Sequence, residues 1–248
     1  MSTQSVASFA PADGAAQWTK GLLVANLVLS VVAIVSGLLQ IGLLSRAATG
    51  GISDAEAAAN DSRQQLIGVL QFVLILGTAV AFLMWFHRVH KNLPGLGGRE
   101  LKYTPGWAVG GFFVPFLNLV RPLRVMREVW HGSDPSSLER DVASGGPFIR
   151  NQLGTPSLVG WWWALFLVSN FFGNIAARMA FAPNPTLDQL QAMSRLLVFS
   201  DVLDIPSALV AMRLVARITG WQGERSDRIR QRGGETPDAS ADKPASVI

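Results

Sequence analysis

Residues 103–130 read YTPGWAVGGFFVPFLNLVRPLRVMREVW, and this central stretch decides the fold. Its apolar part is too short to cross a bilayer, which takes about 20 helical residues. Pro115 interrupts it, because a proline inside a helix removes a backbone hydrogen bond and kinks or ends the helix. Three arginines follow the break. We therefore predict that the stretch enters the membrane and returns to the same side as a hairpin.

The central stretch has residues suited to starting a helix and to breaking it. Thr104 can cap the free amides of a helix, and the fixed φ of Pro105 suits a first turn. Gly106, Gly110 and Gly111 would allow a neighbouring helix to approach closely. Asn118 carries an amide that can serve backbone groups left unpaired near Pro115. Because irregular backbone at membrane depth needs surrounding protein or water, we expect flanking helices to cover this segment.

Two long apolar segments precede the central stretch and two follow it, each long enough to cross a bilayer as a helix. Hydrophobic residues make up 49% of the chain and charged residues 15%, against about 25% charged in soluble domains. We predict an all-α integral membrane protein: four transmembrane helices, a re-entrant or half-inserted hairpin broken by Pro and Gly, and an interfacial amphipathic helix. The predicted spans are 22–44, 66–86, 158–181 and 196–218, with the hairpin and its helix at 104–131.

The two ends of the chain are polar. Residues 1–20 are small and polar with no apolar period, and we predict that they are disordered. The membrane bundle then occupies 21–222. Residues 223–248 are rich in charge, Gly, Pro and Ser, which predicts a disordered cytoplasmic tail. The first apolar run exceeds the roughly 7–15 residues of a cleaved signal peptide, which favours a retained anchor.

Lys and Arg are distributed unevenly among the loops. The loops at 45–65 and 182–195 hold few of them, whereas the segments after residue 86, around the central stretch and in the tail hold many. Basic loops stay on the cytoplasmic side of a membrane. Four spans and a returning hairpin place every basic segment and both termini in the cytoplasm. We therefore predict a multi-pass protein of the cell (inner or plasma) membrane.

An amphipathic helix is predicted after the break, and its basic face has two interpretations. In one, the helix lies in the headgroup plane and only fixes the hairpin to the bilayer. In the other, Arg121, Arg124 and Arg127 hold an anionic headgroup or phosphate. Arg124 and Glu128 also form an i,i+4 pair, worth at most a few tenths of a kcal/mol. The apolar face comprises Leu119, Leu123, Met126 and Trp130, and the polar face Arg121, Arg124, Glu128 and His131.

Polar residues also lie inside the third and fourth spans. An ionisable residue at the centre of a transmembrane helix costs about 2.5–3.5 kcal/mol, so each one calls for a partner. Arg178 and Asp201 fall at nearly equal depth on neighbouring antiparallel helices, which predicts an ion pair between them with Asn174 nearby. Either this cluster only fixes helix register, or it binds a proton or cation in a transport pathway. The predicted cluster comprises Asn170, Asn174, Arg178, Asp201 and Asp204.

Small and weakly polar residues mark one side of the first two spans. We interpret them as helix-packing surfaces rather than ligand sites, with Leu, Val and Phe toward lipid. They are Asn26, Ser30, Ala33, Gly37 and Gln40 in the first span, and Gly68, Gln71 and Thr78 in the second.

Patterns typical of catalysis and metal binding are absent from the sequence. The chain has no Cys and three His, and it lacks a P-loop, a nucleophile elbow and the H-E-x-x-H spacing. We predict no enzymatic activity, no cofactor and no metal site, with His87, His90 and His131 near the cytoplasmic surface. The basic residues follow hydrophobic runs and are not interleaved with aromatics on a soluble face, so nucleic acid is not an expected partner.

Four motifs remain: Trp-x-x-Arg-x-x-x-Asn at 85–92, the central stretch, the span headed by WWW at 161–163, and ITGWQGER at 218–225. Together, from about Leu66 to Arg225, they resemble a bacterial inner-membrane family known as domain of unknown function 4328. The resemblance implies a membrane fold and supplies no activity. The motif residues that it implies are structural are Trp85, Arg88, Asn92, Pro105, Gly106, Trp107, Pro115, Asn118, Pro122, Glu128 and Trp130.

Two functions stay open. The first is a structural or interaction component whose basic interfacial helix binds anionic lipid headgroups or a protein partner. The alternative is a component of an ion or small-solute transporter that uses Arg178, Asp201 and Asp204. The expected partners are the lipid bilayer, its anionic headgroups, and a further copy of the chain or another membrane protein.

Overall fold

The computed structural model describes residues 9–98, 101–138, 155–180 and 183–234. Within these ranges the chain is all-helical and contains no strand, so the predicted fold class is confirmed at that level. The helices are α1 (Asp13–Ala47), α2 (Asp54–Lys91), α3 (Pro105–Gly110), α4 (Arg121–Ser133), α5 (Ser157–Ala180) and α6 (Leu187–Gly234), with 3₁₀ turns at Pro94–Leu96 and Leu117–Leu119.

Three helices of the described chain are long and apolar enough to cross a membrane, which indicates a membrane protein. They are α1, α2 and the part of α5 from Ser157 to Met179. Helices α1 and α2 contain the first two predicted spans, and α5 covers 158–180 of the third, whose last residue lies outside the described chain. The fourth predicted span lies within α6, a helix of 48 residues with Pro206 in its interior. Asp201, Asp204 and Arg213 interrupt the apolar run of α6, and α6 is not among the three.

Both ends of the helical bundle extend further than predicted. Helix α1 begins at Asp13, so residues 13–20 are helical rather than disordered, and Ala16 and Thr19 are buried. Helix α6 continues to Gly234, so residues 223–234 are helical as well. The remaining parts of the two predicted disordered ends, 1–8 and 235–248, lie outside the described residues. The helical extensions have the same physical reason, because each buries side chains against other elements.

The loop predicted at 45–65 is shorter than expected because α2 begins at Asp54. Ser53 caps this helix: its Oγ accepts from the Glu56 amide at 3.3 Å, and the Glu56 carboxylate accepts from the Ser53 amide at 3.0 Å. Such a reciprocal capping box satisfies two helix-end donors. Glu56 also pairs with Arg46 across the turn, with 3.1 Å between Oε1 and Nη1.

Helix α1 is central to the packing. It packs against α2 on one side and α6 on the other, and α6 packs in turn against α5. Ala33 and Gly37 of α1 are buried, and a Cβ on Gly37 would lie 2.5 Å from Val198 Cγ2 of α6. The packing interpretation of the small residues in α1 is thus confirmed at Gly37. The four long helices are thus arranged in the order α2, α1, α6, α5, and a groove lies between the outer two helices, α2 and α5.

The largest buried cluster lies at one end of the bundle, where α1 begins, α2 ends and the central stretch packs. We call this the core end. Trp85 is fully buried there, and its Nε1 donates to Thr219 Oγ1 of α6 at 3.0 Å. The other buried members include Phe86, Val89, Val125, Met126, Trp162, Trp163, Leu214 and Ile218.

The central stretch starts as predicted and then differs in detail. The Thr104 hydroxyl caps α3, accepting from the Trp107 amide at 3.4 Å, and Pro105 occupies the first turn. Helix α3 has only six residues, so it is far too short to cross a bilayer. The backbone turns at Phe116, whose φ of 63° is rare for a residue with a side chain. It returns to the core end, where Trp163 Nε1 donates to the Leu119 carbonyl at 2.9 Å.

Two expectations for this stretch are wrong. A Cβ on Gly106 would meet no atom within 4 Å, so no helix approaches closely there. The expected close approach is confirmed at Gly111, where the aliphatic carbons of Arg121 in α4 would lie 2.7–3.3 Å from a Cβ. The Asn118 side chain makes no hydrogen bond within the described chain. The Asn118 backbone amide donates to the Val114 carbonyl at 2.9 Å, and this bond bridges the break at Pro115.

Candidate functional site

The turn of the central stretch presents apolar side chains outward. Phe113 is 70% exposed and Phe116 is 84% exposed, although both are large and hydrophobic. Contiguous exposed apolar surface of this kind marks a contact with lipid or with another protein. The exposed set, which we call the apolar tip, comprises Phe113, Phe116, Leu117, Leu119 and Val120.

Arginine side chains lie directly beside the apolar tip. The Arg121 guanidinium lies 4.8 Å from the ring centre of Trp107 and 5.5 Å from that of Tyr103, within cation–π distance of both. Arg124 is exposed one turn further along α4, and Arg127 is half-buried. Two of the three predicted headgroup-binding arginines therefore border the apolar tip on its solvent side.

Helix α4 does not present its whole apolar face to lipid. Met126 and Trp130, predicted on that face, are buried in the core end, and Trp130 packs on Trp221 of α6 with ring centres 4.7 Å apart. Leu119 is exposed and Leu123 is half-buried. The helix is amphipathic as predicted, but its buried face packs on the protein because α6 extends beneath it.

Glu128 has partners other than the one predicted. Its Oε1 accepts from the Lys102 amide at 2.6 Å, and its Oε2 lies 3.3 Å from His90 Nε2. Glu128 forms no ion pair with Arg124, because its carboxylate turns toward α2 and toward the backbone segment that precedes α3. His90 is fully buried rather than near the surface, and its Nδ1 has no hydrogen-bond partner within the described residues.

A buried polar network that the sequence did not predict joins the helices at the core end. Asn92 Nδ2 donates to Gln222 Oε1 at 3.0 Å and to the Ala10 carbonyl at 2.8 Å. Gln222 Nε2 donates to the Val89 carbonyl at 2.8 Å and to Ser133 Oγ at 3.0 Å. The only signals for this network in the sequence were Asn92 in the first motif and the ITGWQGER motif.

Arg225 completes the network. It is fully buried, its Nε donates to the Leu96 carbonyl at 2.8 Å, and its Nη1 donates to the Asp134 carbonyl at 2.7 Å and to Ser137 Oγ. The other motif residues divide by location. Trp85, Asn92, Pro122 and Trp130 are buried, Pro105, Asn118 and Glu128 are half-buried, and Arg88, Gly106, Trp107 and Pro115 are exposed.

A groove between α2 and α5 lies beside the predicted intramembrane cluster. It has a volume of about 520 Å³, and its floor is formed by α1 and α6. Asn170, Asn174 and Asp204 of the predicted cluster line it. Polar side chains of the first two helices line it as well, although they were interpreted as packing residues. These are Asn26, Ser30, Gln71 and Thr78.

The predicted ion pair between Arg178 and Asp201 is not formed. Asp201 is 9% exposed, and its Oδ1 accepts from Gln71 Nε2 of α2 at 2.8 Å. Arg178 is exposed on α5 and does not line the groove. The predicted match in depth is not found either, because Ser169 of α5 contacts Asp204 and Phe172 packs on Phe199 of α6. Arg178 therefore lies about two helical turns beyond the level of Asp201, and Asp201 faces α2. Asp204 accepts a hydrogen bond from Ser169 of α5.

Aromatic rings close the groove at the core end. Phe82 of α2 stacks on Trp162 of α5 with 5.7 Å between ring centres, and Phe112 of the central stretch packs edge-on against Phe82 at 6.3 Å. Phe82, Phe112, Trp162 and Phe166 all line the groove. The groove therefore has an aromatic end and, further along the helices, a polar section with a carboxylate.

Comparison with known proteins gives one match. A family model described as Domain of unknown function (DUF4328) matches residues 48–220, which is more than half of the chain. The match begins after α1 and covers α2 to the middle of α6, including the central stretch. No curated protein and no solved structure matches the chain.

Proposed function

The chain belongs to the DUF4328 family, whose function is unknown, and from the geometry we propose that it is a multi-pass membrane component that binds anionic lipid headgroups at one membrane surface. The apolar tip would insert among the lipid chains, and Arg121 and Arg124 would contact the headgroups. The observation that carries the proposal is the position of Arg121, which directly follows the apolar tip and lies 4.8 Å from the ring centre of half-exposed Trp107, with exposed Arg124 one turn further along α4.

The chemistry of this surface suits a membrane interface. Phe113 and Phe116 would lose contact with water by entering the acyl-chain region, at about 25 cal/mol per Å² of apolar area buried. Trp107 is half-exposed and lies at the level of Arg121, and tryptophan favours the interface between headgroups and lipid chains. A basic side chain near an anionic bilayer surface contributes about 1 kcal/mol. Arg121, held between two rings, would bind with little further ordering.

The proposed topology places four helices across the bilayer, with the central stretch re-entering on the core side. Both ends of the central stretch lie at the core end, where α1 begins and α6 leaves the bundle. The basic residues of that end would then face the cytoplasm together with both termini, as the distribution of Lys and Arg favours. A protein partner, or a second copy of the chain, could share the same surface.

Insertion of the apolar tip has a direct test, because the chain contains no native cysteine. A Phe116→Cys variant carrying an environment-sensitive fluorophore is expected to emit at shorter wavelength in proteoliposomes and to be quenched by spin-labelled lipid. Ser136→Cys is the control, since Ser136 is exposed after α4 and should stay accessible to aqueous iodide. Equal iodide quenching at both positions would contradict insertion.

Headgroup binding is tested by counting retained lipids. Native mass spectrometry of protein released from membranes containing phosphatidylglycerol is expected to show bound anionic lipid. The double variant Arg121→Gln/Arg124→Gln should retain several-fold less, because each arginine contributes about 1 kcal/mol of attraction. Arg88→Gln is the matched control, as Arg88 is exposed on the last turn of α2. Unchanged lipid retention in the double variant would rule out these two arginines as the site.

A second function, transport of an ion or small solute, is favoured by a different observation. The groove between α2 and α5 brings Asn170, Asn174 and Asp204 to one cavity, which is lined by α6 and by the three helices apolar enough to span a membrane. Ionisable residues at membrane depth mark binding sites or pathways more often than packing contacts. Arg178 is not part of this candidate transport site, because it does not line the groove.

A further inference from the structure

We propose that the groove between α2 and α5 binds an amphiphilic organic cation, with the charge at the Asp204 carboxylate and the apolar body against the aromatic rings. This site meets the apolar tip at Phe113 but includes neither Arg121 nor Arg124, so its charge recognition does not depend on the headgroup surface. It would supply the transport alternative with a class of substrate.

The groove has the size and position for such a ligand. Its volume of about 520 Å³ falls within the roughly 300–1,000 Å³ typical of small-molecule sites. It opens between two helices whose outward side chains are apolar, including Phe72 and Ile75 of α2 and Phe171 of α5, which are 56–64% exposed. A ligand that partitions into lipid would therefore reach the groove sideways from the bilayer.

The charge of the groove favours a cation. Asp204 lines the cavity, and Asp201 lies one turn away on the same helix, behind Gln71. The lining residues of the described chain include no Lys, Arg or His that would neutralise the carboxylate. A charge in a low-dielectric site interacts far more strongly than in water. An anionic or neutral ligand would not gain this interaction.

The hydrogen-bonding capacity left in the groove also suits a cation. Ser169 donates one hydrogen bond to Asp204, and a carboxylate can accept about four. Asn170 and Asn174 each donate their Nδ2 to a carbonyl of their own helix at 2.7 Å. Their Oδ1 atoms accept no hydrogen bond within the described chain. The polar section therefore offers acceptors, which stabilise positive charge.

The aromatic end provides the second half of the recognition. Phe82, Trp162 and Phe166 line the groove on two helices, and the Phe82 and Trp162 rings are 5.7 Å apart. The faces of such rings attract cations and pack against aromatic or aliphatic groups. A ligand with a delocalised or shielded charge on an apolar body matches both ends of the cavity, whereas a small hydrated metal ion matches only the carboxylate.

Binding of tetraphenylphosphonium to the purified full-length protein in nanodiscs tests this proposal by equilibrium dialysis. We expect saturable binding at one site. Asp204→Asn should weaken it by at least about tenfold, because the buried charge interaction is lost while the shape is kept. Asp188→Asn, an exposed acid at the start of α6, should leave binding unchanged. Triphenylphosphine oxide is a neutral analogue. Its affinity for the wild-type protein should not exceed the affinity of tetraphenylphosphonium for the Asp204→Asn variant.

A second variant blocks the groove and leaves Asp204 in place, so that a loss of binding does not depend on how well the Asp204→Asn variant folds. Ala79 lines the groove from α2 and is exposed, so Ala79→Trp should fill the cavity without disturbing the carboxylate. We expect it to abolish tetraphenylphosphonium binding while the melting temperature stays within a few degrees. Equal affinity in wild type, Asp204→Asn and Ala79→Trp, or no saturable binding to wild type, would overturn the proposal. Retention of phosphatidylglycerol is a separate measurement, so failure here and failure of headgroup binding are distinguishable.

Discussion

Replacing Arg225 with methionine is expected to lower the free energy of unfolding by about 3–5 kcal/mol, the largest effect of any single change we consider. The arginine is fully buried and donates to the carbonyls of Leu96 and Asp134 and to Ser137 Oγ. Methionine keeps the length of the side chain but donates nothing. Each buried carbonyl left without a donor costs about 1–3 kcal/mol, so the losses add to a large destabilisation.

The effect is measured from the unfolding midpoint of the purified protein in detergent, by heat or by denaturant. Arg228→Met is the matched control, because Arg228 lies on the same helix with 41% of its side chain exposed and pairs with Glu224 at 2.7 Å. An exposed i,i+4 pair of this type contributes about 0.3–0.5 kcal/mol, so the control should melt close to wild type. If both variants melted alike, the buried network would not hold α6 to the turn after α2.

The location of the four apolar segments could be read from the sequence. Run length and composition are one-dimensional properties, and a helix rises about 1.5 Å per residue whatever its neighbours are. The start of α3 was equally local, since Thr104 and Pro105 act on amides within one turn. Helix α3 is short because the chain reverses at Phe116, soon after the helix ends at Gly110.

The partner of Asp201 could not be read in the same way. Spacing fixes the depth of a residue along its helix, but the direction of its side chain depends on how the helices are rotated against each other. Helix α6 packs on both α1 and α5, and this packing turns Asp201 toward Gln71 of α2. Arg178 lies beyond the level of Asp201 on α5, because Ser169 contacts Asp204 and Phe172 packs on Phe199, and its side chain is exposed. Asp201 is therefore in contact with α2 and not with α5, the helix that precedes α6 in the chain.

The groove and the polar network at the core end could not be predicted for a related reason. Asn26 and Thr78 join α1 to α2 as the packing interpretation expected, with 2.6 Å between Nδ2 and Oγ1, and only the gap between α2 and α5 also makes them a cavity lining. Arg225 follows the last apolar run in a stretch rich in charge, which is typical of a solvated tail. Its acceptors come from residues about 90 and 130 positions earlier, and no local pattern reports such distant contacts.

Replacing Glu128 with alanine is expected to cost about 1–3 kcal/mol, because the buried His90 side chain and the exposed Lys102 amide lose their partner together. The Lys102 amide would lose its acceptor at 2.6 Å, and fully buried His90 would lose the contact at 3.3 Å from its Nε2. Glu128→Gln keeps an acceptor for Lys102 and removes only the charge, so it should unfold at an intermediate midpoint. The change loosens α4 from the end of α2, and the core end should be the first part to open.

Double-mutant cycles distinguish the observed partner of Glu128 from the one predicted by helical spacing. The His90→Ala/Glu128→Ala cycle should give a coupling energy of about 1–3 kcal/mol, as for contacting residues in one network. The Arg124→Ala/Glu128→Ala cycle should give about 0.3 kcal/mol or less, because Arg124 is exposed and not paired with Glu128. A larger coupling energy for Arg124 than for His90 would mean that the Glu128 carboxylate faces solvent along α4. In that case only the apolar face of α4 would hold this helix to the bundle.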